Sequence, residues 1–175
     1  MIIVSDRDHA DGPADAPATL VVYGDYECPH TRGVQLALRR VQPRLGGTLR
    51  YVYRHFPLRE IHPHAQHAAE VAEAANEAGS FWVMHGHLFQ HQNALEDADL
   101  VRYANEVGIA ETRVSDALRS HAHAERVEAD VQSGLALGVH GTPTLFINGM
   151  RYAGERDAHA LETALREASA HSSPA

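Results

Sequence analysis

Short runs of consecutive apolar residues lie near both ends of this chain of 175 residues. The run at 19–23 is apolar on consecutive positions, which is typical of a strand buried on both faces of a sheet. Residues 49–56 are rich in Tyr, Val and Phe, which predicts a second strand. The runs at 144–147 and 150–152 flank an Asn-Gly dipeptide, a strong signal for a tight β-hairpin. Residues 2–4 predict a further short edge strand. The pattern thus predicts a sheet built from both ends of the chain.

The stretches between these strands have helical patterns. A first helix is predicted from residue 29 to about 42, ended by Pro43 and the glycines that follow it. Residues 63–136 are predicted to be almost wholly helical, and a closing helix is expected at 157–168. The order of strand, helix, strand, helical block, hairpin and helix predicts an α/β domain with a helical insertion.

The composition restricts the partners and the chemistry. The net charge is −8 and all fifteen basic residues are arginine, which argues against nucleic acid as a main partner and excludes lysine catalysis. No apolar stretch approaches the ~20 residues that span a bilayer, so we expect no membrane insertion. The first eighteen residues lack the basic and apolar regions of a secretory signal, and this predicts a cytoplasmic location.

Cys28 is the single cysteine, so no internal disulfide can form. It follows a predicted strand and precedes Pro29, a residue suited to a first helical turn, so it is expected at a helix N-terminus that stabilises a thiolate. A protonated His30 would add positive charge, whereas Asp25 and Glu27 would repel a thiolate. These polar neighbours favour a reactive, partly open site over a buried structural cysteine.

Three segments carry a family resemblance, namely residues 23–30, the Arg-His-Phe-Pro-Leu run at 54–58 and the Gly-Thr-Pro-Thr run at 141–144. With them the chain resembles the DsbA family of thioredoxin-fold proteins. Residues 62–85 look like the helical insertion of bacterial members, and are especially similar to the thioredoxin-like domain fused to some NhaA-type Na+/H+ antiporters. The resemblance implies an α/β thioredoxin fold with a helical insertion.

The resemblance also implies a division of the chain. We expect a single DsbA-like domain over residues 1–170. Its thioredoxin-fold parts would be about 1–62 and 124–170, with the helical insertion at about 63–123. Residues 171–175 are expected to form a frayed tail.

The same resemblance assigns roles at matching positions. Cys28 matches the nucleophile, Pro143 the cis-proline beside it, and Thr142 the residue whose backbone pairs with bound peptide. The chain departs from the family at Thr31, where the second cysteine of the dithiol motif would stand. It also departs at Val22, which replaces a buried acid and is expected to be an ordinary core residue.

One thiol limits the reaction, because Thr31 cannot attack a mixed disulfide. The expected function is therefore a monothiol thiol–disulfide oxidoreductase that acts through Cys28, with Pro29, His30 and Thr31 completing the catalytic turn. Its partners would be protein or small-molecule thiols and disulfides. No tightly bound cofactor is expected, and glutathione or an equivalent small thiol would serve as co-substrate.

Two other classes of function are also compatible with the sequence. Some DsbA-like relatives are non-redox, glutathione-dependent transferases or isomerases, and others could act as redox-sensing or binding modules without turnover. The fourteen histidines include His87 and His91, whose i, i+4 spacing can bind zinc. We expect no functional metal site, because no cysteine lies near them and no HExxH motif is present.

Overall fold

The strands form one five-stranded sheet in the computed structural model, which describes residues 2–172. They are β1 (His9–Asp11), β2 (Ala18–Gly24), β3 (Leu49–His55), β4 (Thr144–Ile147) and β5 (Met150–Tyr152), in the order β1-β3-β2-β4-β5. The pairs β1–β3, β2–β4 and β4–β5 are antiparallel. The predicted hairpin is confirmed, with Asn148 and Gly149 both at positive φ, as its tight turn requires.

The helices are α1 (Pro29–Leu45), α2 (Ala65–Glu77), α3 (Phe81–Gln90), α4 (Asp97–Glu106), α5 (Glu111–Ser120), α6 (Ala124–Ala136) and α7 (Ala158–His171), with a short 3₁₀ turn at Gly46–Thr48. The predicted helical block and the α/β class are confirmed. The chain forms two compact units. One contains the described residues up to Gly24, His30–Arg54 and those from Pro143 onward; the other contains Asp25–Pro29 and His55–Thr142.

The core of the first unit is built around β2. Leu20, Val21, Val22 and Tyr23 are each at most 1% exposed, which confirms that the strand is buried on both faces. Val22 is therefore a core residue, as its apolar setting predicts. Side chains buried this completely are closely packed, so β2 tolerates little change in side-chain volume.

The predicted strand at residues 2–4 is wrong. β1 instead pairs with β3 from His9 onward, and Arg54 explains the difference. Its guanidinium makes two hydrogen bonds to the Asp8 carboxylate, at 2.6 and 3.0 Å, and donates to the carbonyl oxygen of Ile3 at 2.7 Å. Because the Arg54 guanidinium donates to the Ile3 carbonyl, the chain before β1 is held by a buried arginine rather than by hydrogen bonds to a neighbouring strand.

Two helix ends differ from the sequence prediction. Pro43 lies inside α1 instead of ending it, because a proline in the last turn removes a single backbone donor while the buried side chains of Val41 and Leu45 still pack. α7 continues beyond the predicted end at 168 as far as His171, and the Ser172 hydroxyl accepts a hydrogen bond from Asn148. The last part of the predicted tail, 173–175, lies outside the described residues.

In the second unit, α2 and α3 form a tight pair. α2 buries a row of alanines, and α3 buries Phe81, Met84 and Leu88. α2 ends in a glycine cap, because Gly79 has φ +71° and Ser80 N donates to the carbonyl of Ala75 at 2.9 Å. This cap allows α3 to begin directly beside the end of α2.

Candidate active site

The turn between β2 and α1 positions Cys28. It is closed by a hydrogen bond from Cys28 N to the Asp25 carbonyl at 3.2 Å, and α1 begins at the next residue, Pro29. Cys28 therefore lies at the N-terminus of a long helix, as the strand–Cys-Pro pattern predicts. The unpaired N–H groups and the positive dipole end of such a helix favour negative charge.

The thiol is less open than its polar neighbours suggest. Cys28 is 4% exposed, so the expectation of a solvent-reachable cysteine is wrong for this conformation. The physical reason lies in Asp25, which is 2% exposed and uses its carboxylate for hydrogen bonds within the protein. A polar residue that is satisfied internally does not bring solvent to the site.

The sulfur contacts the backbone of a distant segment. Cys28 Sγ lies 3.4 Å from the carbonyl oxygen of Thr142, in the geometry of a thiol that donates a hydrogen bond. Pro143 follows Thr142 and directly precedes β4. The structure thus brings together Cys28 and Thr142, which are 114 residues apart in the chain. The Thr142 Oγ1 atom is buried and makes no hydrogen bond, so its backbone is the part that meets the sulfur.

The remaining residues of the predicted turn lie at the start of α1. His30 is exposed on the helix surface, whereas Thr31 is fully buried at 0% exposure. Within the first unit Thr31 packs close to Gly24, because a Cβ added at Gly24 would lie 2.8 Å from its methyl carbon. Position 31 is therefore a closely packed interior site rather than a surface one.

The carboxylate of Asp25 organises the turn, a role that the sequence did not reveal. Oδ1 accepts from the backbone N–H of Glu27 at 2.7 Å, and Oδ2 accepts from the backbone N–H of Leu58 at 2.8 Å. The Nδ1 atom of His62 lies 2.8 Å from the same Oδ2 atom. One buried acid thus joins the turn to the segment that follows β3.

Tyr26 anchors the turn to α3. Its hydroxyl lies 3.0 Å from Nδ1 of His85, and its ring packs against Phe89 with 4.8 Å between the ring centroids. His85 falls in a segment that matched the family, but its partner could not be identified because the two residues are 59 positions apart. The aromatic side chain thereby fixes the turn against a buried helix.

Gln92, in the loop after α3, also holds the turn. Its Nε2 atom donates to the carbonyl oxygens of Tyr26, at 2.7 Å, and of Cys28, at 2.9 Å. Glu27 makes a further link, because its Oε2 atom accepts from the backbone N–H of His64 at 2.8 Å. No sequence pattern singles out Gln92, since a lone glutamine in a loop is compatible with many roles.

A cleft of about 680 Å³ adjoins the Cys28 turn. The residues on either side of the cysteine, Glu27 and Pro29, line it together with His62, His64 and Gln92. Four of these residues, Glu27, His62, His64 and Gln92, also make the hydrogen bonds that hold the turn. It is large enough for a peptide side chain or a small thiol to approach the site.

The His87–His91 pair lies elsewhere in the second unit. The two rings stack with 4.4 Å between centroids, and Tyr103 packs against both. Burial lowers the pKa of His87, and the neighbouring His91 lowers it further, while Glu106 opposes the shift. The i, i+4 spacing of His87 and His91 thus brings their two rings together against the Tyr103 ring of α4.

A family model described as thioredoxin matches residues 5–167. The chain belongs to the thioredoxin family. Among its sequence relatives is the Na(+)/H(+) antiporter NhaA 3 of Salinispora tropica, which is 44% identical over 163 residues. That match covers 93% of this chain and 25% of the antiporter, so the chain spans about a quarter of the length of the curated relative.

Solved structures give the same fold in finer detail. The chain is similar to oxidised BdbD from Bacillus subtilis, with a TM-score of 0.82, 20% identity and 94% of each chain covered. It is also similar to α-DsbA1 from Wolbachia pipientis, with a TM-score of 0.78, 16% identity and coverage of 98% of this chain and 95% of that one. Other matches are described as oxidoreductases. The fold is that of the DsbA-like thiol–disulfide oxidoreductases.

In residues 2–172, every helix is too short or too polar to cross a bilayer.

Proposed function

We propose that this protein is a monothiol thiol–disulfide oxidoreductase that works through Cys28. The observation that carries the proposal is the contact between the single cysteine, at the N-terminus of α1, and the Thr142 backbone. In a thioredoxin-family chain this arrangement supports a nucleophile next to a peptide-binding segment. Because Thr31 stands at the position of a second thiol, the reaction needs an external one.

The chemistry has two exchange steps. The Cys28 thiolate attacks one sulfur of a disulfide, forms a new S–S bond and releases the other sulfur as a thiolate, which takes up a proton. An external thiolate then attacks the substrate-derived sulfur of the mixed disulfide and expels the Cys28 thiolate. One disulfide and one thiol are consumed, and one thiol and one disulfide are produced. Glutathione or an equivalent small thiol fits the role of the external reactant.

The other residues of the turn have supporting roles in this proposal. Pro29 starts the helix without a backbone donor, and exposed His30 stabilises the leaving or attacking thiolate when it is protonated. Thr31, where the family's second cysteine would stand, completes the turn but cannot resolve a mixed disulfide. Thr142 aligns the disulfide-bearing segment, with Pro143 in the cis form. We place the reaction in the cytoplasm, where small thiols are abundant and reduced.

A second candidate is a redox-sensing module without turnover. Two observations favour it: the cysteine is 4% exposed, and the chain corresponds to about a quarter of an antiporter relative. In that case Cys28 would form one reversible mixed disulfide whose release is slow. The two candidates differ in turnover and not in the first bond formed.

A turnover assay separates them. Wild type and Cys28→Ser are mixed with a small uncharged disulfide and an external monothiol, and the released thiol is followed over time. A catalyst releases many equivalents of thiol per protein, and Cys28→Ser releases none above background. Release of a single equivalent would support the sensor and contradict the proposed catalytic function.

A further inference from the structure

Gln92 makes two hydrogen bonds to the backbone around the cysteine. Both are made by one atom: Nε2 donates to the Tyr26 carbonyl at 2.7 Å and to the Cys28 carbonyl at 2.9 Å. A primary amide nitrogen carries two N–H groups, so both donors are used. The Gln92 side chain comes from the loop after α3, 64 residues from Cys28. Both N–H groups of the Gln92 amide therefore bind the same turn.

The two acidic side chains of this turn act as acceptors. Asp25 accepts from the backbone N–H of Glu27, and Glu27 accepts from the backbone N–H of His64. Gln92 is complementary to them, because it satisfies carbonyl oxygens of the turn. A buried carbonyl that loses its donor is costly, so without Gln92 the turn is expected to rearrange to find another partner.

We propose that Gln92 is a positioning residue for Cys28, an inference that rests on the proposed function. By holding the carbonyls on both sides of Glu27, its amide keeps the end of the turn in one conformation. Cys28 Sγ then stays 3.4 Å from the Thr142 carbonyl, next to the segment proposed to align the substrate. Reacting groups that are held in one geometry react faster than mobile ones.

A donor role and simple packing of Gln92 lead to different results in three variants. Methionine has a volume similar to that of glutamine but carries no N–H donor, whereas asparagine keeps the amide on a shorter stem. If the donors matter, Gln92→Met, Gln92→Asn and Gln92→Ala should all lose the effect. If only packing mattered, Gln92→Met should behave like wild type and Gln92→Ala should not.

The test measures the first exchange step alone. Wild type and each variant react with hydroxyethyl disulfide, and intact-mass spectrometry gives the rate of adduct formation on Cys28. We expect a rate about tenfold below wild type for all three Gln92 variants, as the loss of two directed hydrogen bonds implies. Asn76→Ala, at an exposed position of α2 outside this cleft, should stay within about twofold of wild type. Urea unfolding identifies any variant that is not folded, and Gln92→Glu, which keeps the length but carries no N–H donor when ionised, replaces Gln92→Met if that variant does not fold.

The outcomes are distinct. A wild-type rate in the folded Gln92→Met variant, or in Gln92→Glu where it replaces that variant, would overturn the positioning role and leave the proposed function standing. Absence of any adduct on wild-type Cys28 would overturn the proposed function and this inference together.

Discussion

Removal of the Asp25 carboxylate should strongly destabilise the protein. Asp25 has a fully buried side chain that accepts from the backbone N–H groups of Glu27 and Leu58 and pairs with His62. In Asp25→Ala these two backbone donors lose their acceptor, at a cost of about 1–3 kcal/mol each. The loss of the His62 partner adds to this, so we expect the free energy of unfolding to fall by about 3–5 kcal/mol.

Asp25→Asn gives a graded comparison. The amide has almost the same shape and keeps one carbonyl oxygen, so one of the two backbone donors can still be satisfied. The other donor then faces an NH₂ group, and a smaller loss of about 2 kcal/mol is expected. The order of stability should be wild type, then Asp25→Asn, then Asp25→Ala.

Urea unfolding followed by circular dichroism measures these differences from the midpoint and slope of each transition. Asp15→Ala is a matched control, because Asp15 is exposed in the loop before β2 and should change stability by less than about 0.5 kcal/mol. If Asp25→Ala unfolds at the same urea concentration as this control, the carboxylate does not hold the turn as described.

Three further changes test other parts of the structure. Thr31→Cys should convert the monothiol protein into a dithiol one, with a disulfide between Cys28 and the introduced cysteine after oxidation and with insulin reduction that an added dithiol can drive, whereas wild type depends on an added monothiol; no such disulfide by mass spectrometry would contradict this. Gly24→Ala should lower the free energy of unfolding by about 1–3 kcal/mol, because its Cβ would lie 2.5 Å from the Tyr53 ring, and an unchanged urea midpoint would refute it. The pKa of His87 is lowered in the fold, so the folded protein favours the neutral imidazole. The contribution of His87 to the free energy of unfolding is therefore fully present above the unfolded pKa of about 6.5 and is lost as the pH falls below it. His87→Gln should therefore show a smaller loss of stability between about pH 7 and 5, and parallel pH curves for the two proteins would contradict the assignment.

The position of the cysteine could be predicted because local signals agree there. A fully apolar strand leads into the turn, and a Cys-Pro sequence followed by a helical pattern fixes the helix N-terminus. The strand predicted at 2–4 failed for a non-local reason. Arg54 binds the Ile3 carbonyl from 51 residues away, and a hydrophobic pattern does not reveal such a contact.

The support of the turn could not be predicted for the same physical reason. Asp25 and Glu27 are acidic in sequence and suggested an open, electronegative site, but the fold supplies backbone donors from Leu58 and His64 that occupy their carboxylates. Gln92 gave no signal at all. Hydrogen bonds between distant segments depend on the packed structure, whereas the position of the strand and helix depends mainly on local sequence.

The central claim is that Cys28 forms a mixed disulfide that only an external thiol can resolve. The most direct measurement is the intact mass of wild type and Cys28→Ser after reaction with hydroxyethyl disulfide, before and after addition of glutathione. We predict one adduct per wild-type chain that is stable after the excess disulfide is removed. Glutathione should then remove the adduct and restore the free Cys28 thiol. Cys28→Ser should gain no mass. A wild-type chain that gains no adduct, or whose adduct persists after glutathione is added, would contradict the account.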